Sequence, residues 1–278
     1  MTGRKIVTVD VFAENLYAGN QLAVVLDAGD LSTQQMQSIA LEMNYSETTF
    51  VISQSEDRAR VRIFTPGFEL PFAGHPTIGT AWVLGRDQPS FTLELNAVDV
   101  SVEFDQQSGI CWMAPPAAEL CEQVDDETTA RLVGLAAEDL LPDMPNQIVK
   151  IGPTFLIAGV KNLENLKRAS LDLRALEAFE SNGHPHVGVF LYSREAYSAD
   201  AGYAARMLFC SAGLREDPAT GSANTGFVAY LREHTQQAVS TIVEQGFEIN
   251  RPSRLYIEAD ESVRVGGRVF QVLEGHLI

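Results

Sequence analysis

The sequence predicts an α+β protein of two similar halves, each a mainly antiparallel sheet with few helices and one apolar helix wrapped by strands. Three observations predict it. First, Glu69-Leu-Pro-Phe-Ala-Gly-His-Pro-Thr-Ile-Gly79 and Glu216-Asp-Pro-Ala-Thr-Gly-Ser-Ala-Asn-Thr-Gly226 share the frame Glu-x-Pro-x-x-Gly-x-x-x-x-Gly at a constant offset of 147 residues. Second, each copy follows a strand-like run (61–65 and 205–209) and opens an apolar helical segment (77–84 and 223–231), so the likeness extends to the surroundings and marks a duplicated unit. Third, strand-like runs do not alternate strictly with helical ones, as a parallel Rossmann-like sheet would require.

In chain order, residues 5–12 alternate, with Ile6, Thr8 and Asp10 on one side and Val7, Val9 and Val11 on the other. A short apolar run at 22–26 pairs with them through the turn Tyr17-Ala-Gly-Asn20. Ser32 with Gln35 three residues on reads as a capping box, and Met36, Ile39, Ala40 and Met43 follow at helical spacing to an end near Asn44. Strands are predicted at 48–53, 59–65, 91–95, 98–104 and 109–113. In the frame's helix Ile78, Ala81, Trp82, Val83 and Leu84 leave little polar face, the mark of a helix enclosed by sheet. Ala114-Pro-Pro-Ala117 reads as a linker, dividing the chain into domains 1–116 and 117–278, with the destination of the last strand open. Helices at 127–135 and 171–179 and strands at 148–151, 154–159, 187–192 and 204–209 lead to the second frame, whose helix runs to about Arg232. Strands at 241–243, 254–258, 263–265 and 269–273 close the chain.

Composition narrows the function classes. The chain has 278 residues, 45% hydrophobic and 21% charged, with a formal net charge of −17 and no basic run, which argues against nucleic-acid or anionic-membrane partners. Asp10 interrupts the first apolar run too early for a signal peptide and no apolar run approaches a membrane span, so a cytoplasmic protein is expected. Three cysteines, Cys111, Cys121 and Cys210, at unrelated spacings make neither a disulfide framework nor a metal motif. Walker, GxGxxG, GxSxG and HExxH motifs are absent, and His184-Pro-His186 lacks a ligand pattern around it. No cofactor or metal is expected.

What remains is acid–base chemistry on a small molecule held between the halves. Both frame helices are expected to begin at the Gly-His75 and Gly-Ser222 steps, with Pro76 in a first turn and Ser222 as an N-cap. A helix start presents unpaired N–H groups and a partial positive charge, and Gly74 and Gly221 leave a ligand room to reach the backbone. Glu47, between a helix end and a strand start, is placed for a raised pKa and reversible proton transfer, although a solvated loop carboxylate would read the same way. The positive potential at the helix start is expected to keep His75 neutral. Asp217 and Ser222 occupy the corresponding region of the second half, where turn and cap roles stay open.

The run Leu41-Glu-Met-Asn-Tyr-Ser-Glu-Thr-Thr-Phe-Val51, Arg62-Ile-Phe-Thr-Pro66 continuing through Glu69-Leu-Pro-Phe-Ala-Gly-His-Pro76, and Glu216-Asp-Pro-Ala-Thr-Gly-Ser-Ala223 together resemble the phenazine-biosynthesis PhzF-like family. Asp10-Val-Phe12 and Gly19-Asn20 also fit, so the resemblance covers nearly the whole chain. It implies the diaminopimelate-epimerase-like fold, two domains each wrapping a barrel-like sheet around a central helix with the site in the cleft between them. It further implies a homodimer without cofactor or metal, in a family that includes an isomerase of 2,3-dihydro-3-hydroxyanthranilate. By motif, Glu47 matches the proton-transferring carboxylate, Gly74 and His75 the Gly-His step, and Asp217, Gly221 and Ser222 the opposite wall.

The related diaminopimelate epimerases carry a Cys just before each of these glycines, where this chain has Ala73 and Thr220, so two-thiol racemisation is excluded. Gln21 stands where many members have Pro. The expected function is a cofactor-independent isomerase moving a proton between carbons of a small cyclic carboxylate. The alternatives are an epimerase using Glu47 and Asp217 as opposed acid and base, or a non-catalytic binding member of the fold.

Overall fold

The structure, a computed structural model, describes residues 3–210, 214–260 and 262–278. The chain runs β1 (Arg4–Val11), β2 (Asn20–Val25), α1 (Thr33–Met43), β3 (Glu47–Gln54), β4 (Arg58–Phe64), β5 (Glu69–Leu70), α2 (Gly74–Gly85), β6 (Ser90–Glu94), β7 (Asp99–Phe104) and β8 (Cys111–Met113). It continues through β9 (Glu119–Val124), α3 (Asp126–Leu132), β10 (Asn146–Lys150), β11 (Thr154–Val160), α4 (Leu163–Arg168), α5 (Leu173–Ser181), β12 (Gly188–Ser193), β13 (Tyr203–Cys210) and β14 (Leu214–Asp217). Last come α6 (Gly221–Thr235), β15 (Val239–Gln245), β16 (Ser253–Ala259), β17 (Val263–Gly267) and β18 (Val269–Leu277).

Two compact units result, Met1–Pro116 with Arg264–Ile278, and Ala117–Val263. The chain thus divides after Pro116, while the C-terminal part read from sequence as 117–278 gives up its end. Val265, Gly266 and Gly267 of β17 pair with β8, and β18 pairs along the whole of β1.

Both units follow one topology. In the first, β1 and β2 are antiparallel, β2 and β3 parallel, β3 and β4 antiparallel, β4 runs antiparallel to β5 and parallel to β6, and β6 is antiparallel to β7. The second repeats this with β10 to β16, including the parallel pairs β11 with β12 and β13 with β15. A parallel pair needs a crossover of a dozen residues or more, and in each unit the second crossover contains the frame's helix. The first unit's α2 touches β1, β2, β3, β6, β7, β8 and β18, so the sheet curls around it. In the second, α6 lies against β9, β10, β11, β15 and β16.

The frame residues explain themselves in this setting. Its first Glu sits opposite the strand before it, Glu69 across from Phe64 and Glu216 across from Leu208. Two residues earlier on that strand an arginine grips it: Arg62 Nε and Nη2 donate to Glu69 at 2.7 and 2.6 Å, and Arg206 Nε and Nη2 donate to Glu216 at 3.1 and 2.7 Å. The last Gly lets the helix approach the strands. A Cβ on Gly79 would lie 2.6 Å from Leu22 Cδ2 and 2.7 Å from Val11 Cγ2, and one on Gly226 would lie 2.7 Å from Ile151 Cδ1.

Val9 and Val11 therefore face α2 while Ile6 joins Met36, Ala40 and Phe50 under α1, as the alternation of β1 predicts. In the second unit α3, α4 and α5 cover the other face of the sheet through Leu132, Leu166, Leu176 and Phe179. Sheets packed on both faces account for strands such as β12, buried at every position.

Four elements escaped the sequence pattern, two of them, β5 and β14, because strands of two and four residues are too short to stand out. The strand β9 mixes Glu119, Cys121, Glu122 and Gln123 without a clean period, and α4 is six residues long, too short for a period to show. The capping box at Ser32 is present as predicted, with α1 ending in a left-handed Asn44. Among the described residues no helix is long and apolar enough to cross a membrane.

Candidate functional site

Three elements assemble a polar cluster in the first unit. Glu47 is the first residue of β3, paired with Leu22, and its side chain is largely buried. His75 is the second residue of α2 and almost wholly buried, with Nε2 3.4 Å from Glu47 Oε2 and Nδ1 3.3 Å from Asn20 Nδ2. Asn20, fully buried at the start of β2, is delivered by a loop that the Asp10 carboxylate holds through the Tyr17 N–H at 2.8 Å. Gly19 has φ of +71° and a Cβ there would meet Val11 O at 2.4 Å, so the turn into Asn20 requires glycine. This gives a physical reason for Asp10, Gly19 and Asn20 that the sequence pattern alone does not.

His75 is neutral, its pKa pushed down to about 3. Burial is the main cause, opposed by a backbone hydrogen bond with Gln21, where the helix-start potential was expected to act. The buried ring has its two nitrogens between a carboxamide and a carboxylate.

In the second unit the corresponding residues lie at the start of α6. Thr220, not Ser222, is the N-cap residue, because the helix begins two residues earlier than the Ser pattern suggests and leaves Ser222 at its second position. Neither N-cap supplies a side-chain bond to its helix. Ala73 has no polar atom to offer, and the Thr220 hydroxyl is turned to Asp217 Oδ2 at 2.6 Å. Gly74 and His75 thus begin α2, and Gly221 and Ser222 begin α6, on helices whose first N–H groups are not taken by a cap. The Ser222 side chain is buried at this position.

The structure therefore brings Glu47 together with His75 within the first unit, and Asp217 together with the Gly221-Ser222 step, through Thr220, within the second. Sequence reasoning passed over Asn20, Thr220 and Gln245. The signal for Thr220 lies in the frame residues that differ between the copies, whereas Gln245 lies outside the frame, on β15. Among the described residues no three His, Cys, Asp or Glu side chains converge as a metal set. No cysteine is part of either frame, and Cys111 is buried on β8 with its thiol pushed up to about 12 by desolvation.

A duplicated unit of sheet around a crossover helix, with its polar residues gathered at the helix starts, defines the diaminopimelate-epimerase-like fold. Comparison with known proteins takes the assignment further. The family model for phenazine biosynthesis-like protein matches residues 9–275. The trans-2,3-dihydro-3-hydroxyanthranilate isomerase of Pseudomonas aeruginosa is 34% identical over 98% of each chain, and an uncharacterized isomerase of Mesorhizobium japonicum is 34% identical over 100% of this chain and 99% of its own. The crystal structure of a PhzF-family phenazine biosynthesis protein from Bacillus anthracis superimposes with a TM-score of 0.88 at 27% identity, covering 100% of both chains. The chain belongs to the phenazine biosynthesis-like family and is an isomerase.

Proposed function

We propose that the protein moves a proton between carbons of a small cyclic carboxylate of the dihydrohydroxyanthranilate type, with Glu47 as the proton carrier. The observation that carries this reading is the Glu47 carboxylate held 3.4 Å from the buried, neutral His75 at the start of an uncapped helix. Glu47 takes the proton as a C–H bond breaks, and the electron pair spreads into the adjacent unsaturation. The double bond migrates, a C–H bond forms at the other carbon, and the molecular formula is unchanged.

His75 keeps the carboxylate oriented and, being neutral, adds no net charge beside it. The N–H groups that open α2 and α6 are suited to the carboxylate and to the charge that develops during transfer. The Ser222 hydroxyl, buried at the start of α6, and Asp217 are the groups of the second unit suited to orienting a substrate.

Proton NMR in deuterated water tests this with trans-2,3-dihydro-3-hydroxyanthranilate as the probe. Wild type is expected to place solvent deuterium at one ring carbon as the isomer forms, and Glu47→Gln to place none. Full exchange by the variant would remove Glu47 from the role. Equilibration of two stereoisomers, without migration of the double bond, would favour the epimerase reading.

A further inference from the structure

One side chain holds the entrance of α6 from behind. Gln245, the last residue of β15, is fully buried. Its Nε2 donates to Asp217 O at 2.9 Å and to Thr220 Oγ1 at 3.0 Å, while Oε1 accepts from Thr220 N at 3.2 Å and from Asn224 Nδ2 at 3.1 Å. The bond to Thr220 Oγ1 fixes the direction of the next one. A hydroxyl carries a single proton, and with a lone pair engaged by the carboxamide N–H that proton is directed to Asp217 Oδ2, 2.6 Å away. The relay runs one way, from Gln245 through Thr220 to Asp217. Behind it Gly246, with φ of +79°, packs so closely that a Cβ would lie 2.5 Å from Pro218 O.

The first unit shows that the frame does not need this relay. The offset of 147 puts Leu70 and Ala73 at the places of Asp217 and Thr220. Strand register puts Leu95 at that of Gln245, because Arg60 pairs with Glu94 as Ala204 pairs with Glu244. Leu70, Ala73 and Leu95 are all apolar. Yet the first unit forms the same Arg–Glu grip, the same uncapped helix start and the same glycine contact. Three positions are polar together in one unit and apolar together in the other, around an unchanged framework.

We propose that Thr220 and Gln245 are positioning residues for the Asp217 carboxylate, holding it as an ionised acceptor in one orientation at the start of α6. This rests on the isomerase reading and deepens it by assigning what governs the second acid. A hydroxyl that donates to a carboxylate favours the charged form and fixes which oxygen is engaged.

Two measurements on Thr220→Val, Thr220→Ser and Gln245→Leu test it. Carboxyl ¹³C NMR, with Asp217 assigned by its loss in Asp217→Asn, is expected to show Asp217 titrating about one pH unit higher in Thr220→Val and Gln245→Leu, and unmoved in Thr220→Ser. Turnover of trans-2,3-dihydro-3-hydroxyanthranilate is expected to fall about 10-fold or more in kcat in the first two variants, with KM within about 3-fold. The double variant Thr220→Val/Gln245→Leu should be no slower than the worse single, because both act through one relay. An unmoved Asp217 titration in Thr220→Val, a Thr220→Ser as impaired as Thr220→Val, or strictly additive losses would each overturn the proposal. The titration needs no substrate, so failure of the isomerase reading, seen as full activity in Glu47→Gln or none in wild type, is distinguished from failure of the relay. Thr220→Val is close to isosteric and carries the test should Gln245→Leu not fold.

Discussion

In the first unit the hydroxyls of Thr49 and Thr80 share a hydrogen bond of 2.8 Å between strand and central helix. At the matching positions of the second unit Phe190 and Phe227 pack with ring centroids 5.3 Å apart. The same register sets Glu47 against Gly188, since Thr48 lies opposite Phe64 as Val189 lies opposite Leu208. The frame offset sets His75 against Ser222. What the two units share is backbone topology, the Arg–Glu grip and the glycine contact. What they divide between them is chemistry, a carboxylate with a neutral imidazole in one and a carboxylate with a hydroxyl relay in the other. The difference teaches that the framework tolerates different residues at the helix starts, so the polar groups found there are not demanded by folding.

The sharpest way to break this comparison is to remove the acid of the first unit. Glu47→Gln is expected to lower kcat by about 10³-fold with little change in KM, measured by the exchange assay. The reverse graft should fail on packing. A Cβ on Gly188 would stand 2.0 Å from Met207 Cε, so Gly188→Glu is expected to lower the melting temperature without adding activity.

The shared grip should differ in strength between the units. The Arg206–Glu216 pair is 10% and 7% exposed, and Arg206 Nη1 also donates to the carbonyls of Leu166, Lys167 and Ala169 at the end of α4. The Arg62–Glu69 pair is 22% and 25% exposed. Arg206→Met is expected to cost about 3–5 kcal/mol in urea unfolding, because it strands a buried carboxylate and three carbonyls, against about 1 kcal/mol for Arg62→Met. Equal costs would mean that burial does not distinguish the two grips.

Only the first unit hides an imidazole in its frame, and acid should find it. His75 titrates near 6.5 in the unfolded chain and near 3 in the folded one, so between those values the unfolded state binds the additional proton. Its contribution is fully present above pH 6.5 and is lost as pH falls, at up to about 1.4 kcal/mol per pH unit across that window. His75→Asn should flatten the dependence of melting temperature on pH there; an unchanged slope would assign it to other groups. A modest effect is expected at the hydroxyl pair. Thr80→Val should cost about 1–2 kcal/mol, and Thr49→Val/Thr80→Val less than twice that, since the double change leaves neither hydroxyl without its partner.

The repeat made much of this legible in advance. A Glu, a Pro and two glycines kept at one offset with matching neighbours imply two copies of one unit. They do so because each serves a local purpose, whether a grip on the preceding strand, a turn, a helix start or a close contact. Alternation in β1 and the capping box at Ser32 were readable for the same reason, being set by residues a few positions apart. Gly74, His75, Asp217, Gly221 and Ser222 could be singled out beside helix starts, and Glu47 between a helix end and a strand start.

Tertiary structure decided the rest. That β17 and β18 return to the first unit depends on pairing across more than 150 residues, which no local pattern encodes. His75 is neutral chiefly because the folded sheet buries it, and helix position was the lesser guide. Thr220 became a donor to Asp217 only when β15 brought Gln245 behind it, 25 residues further along the chain. Periodicity and propensity report what a segment tends to form and which side it buries. Which polar groups meet, and how strongly they hold a proton, is set by register and by desolvation, and those exist only once the sheet has closed around its helix.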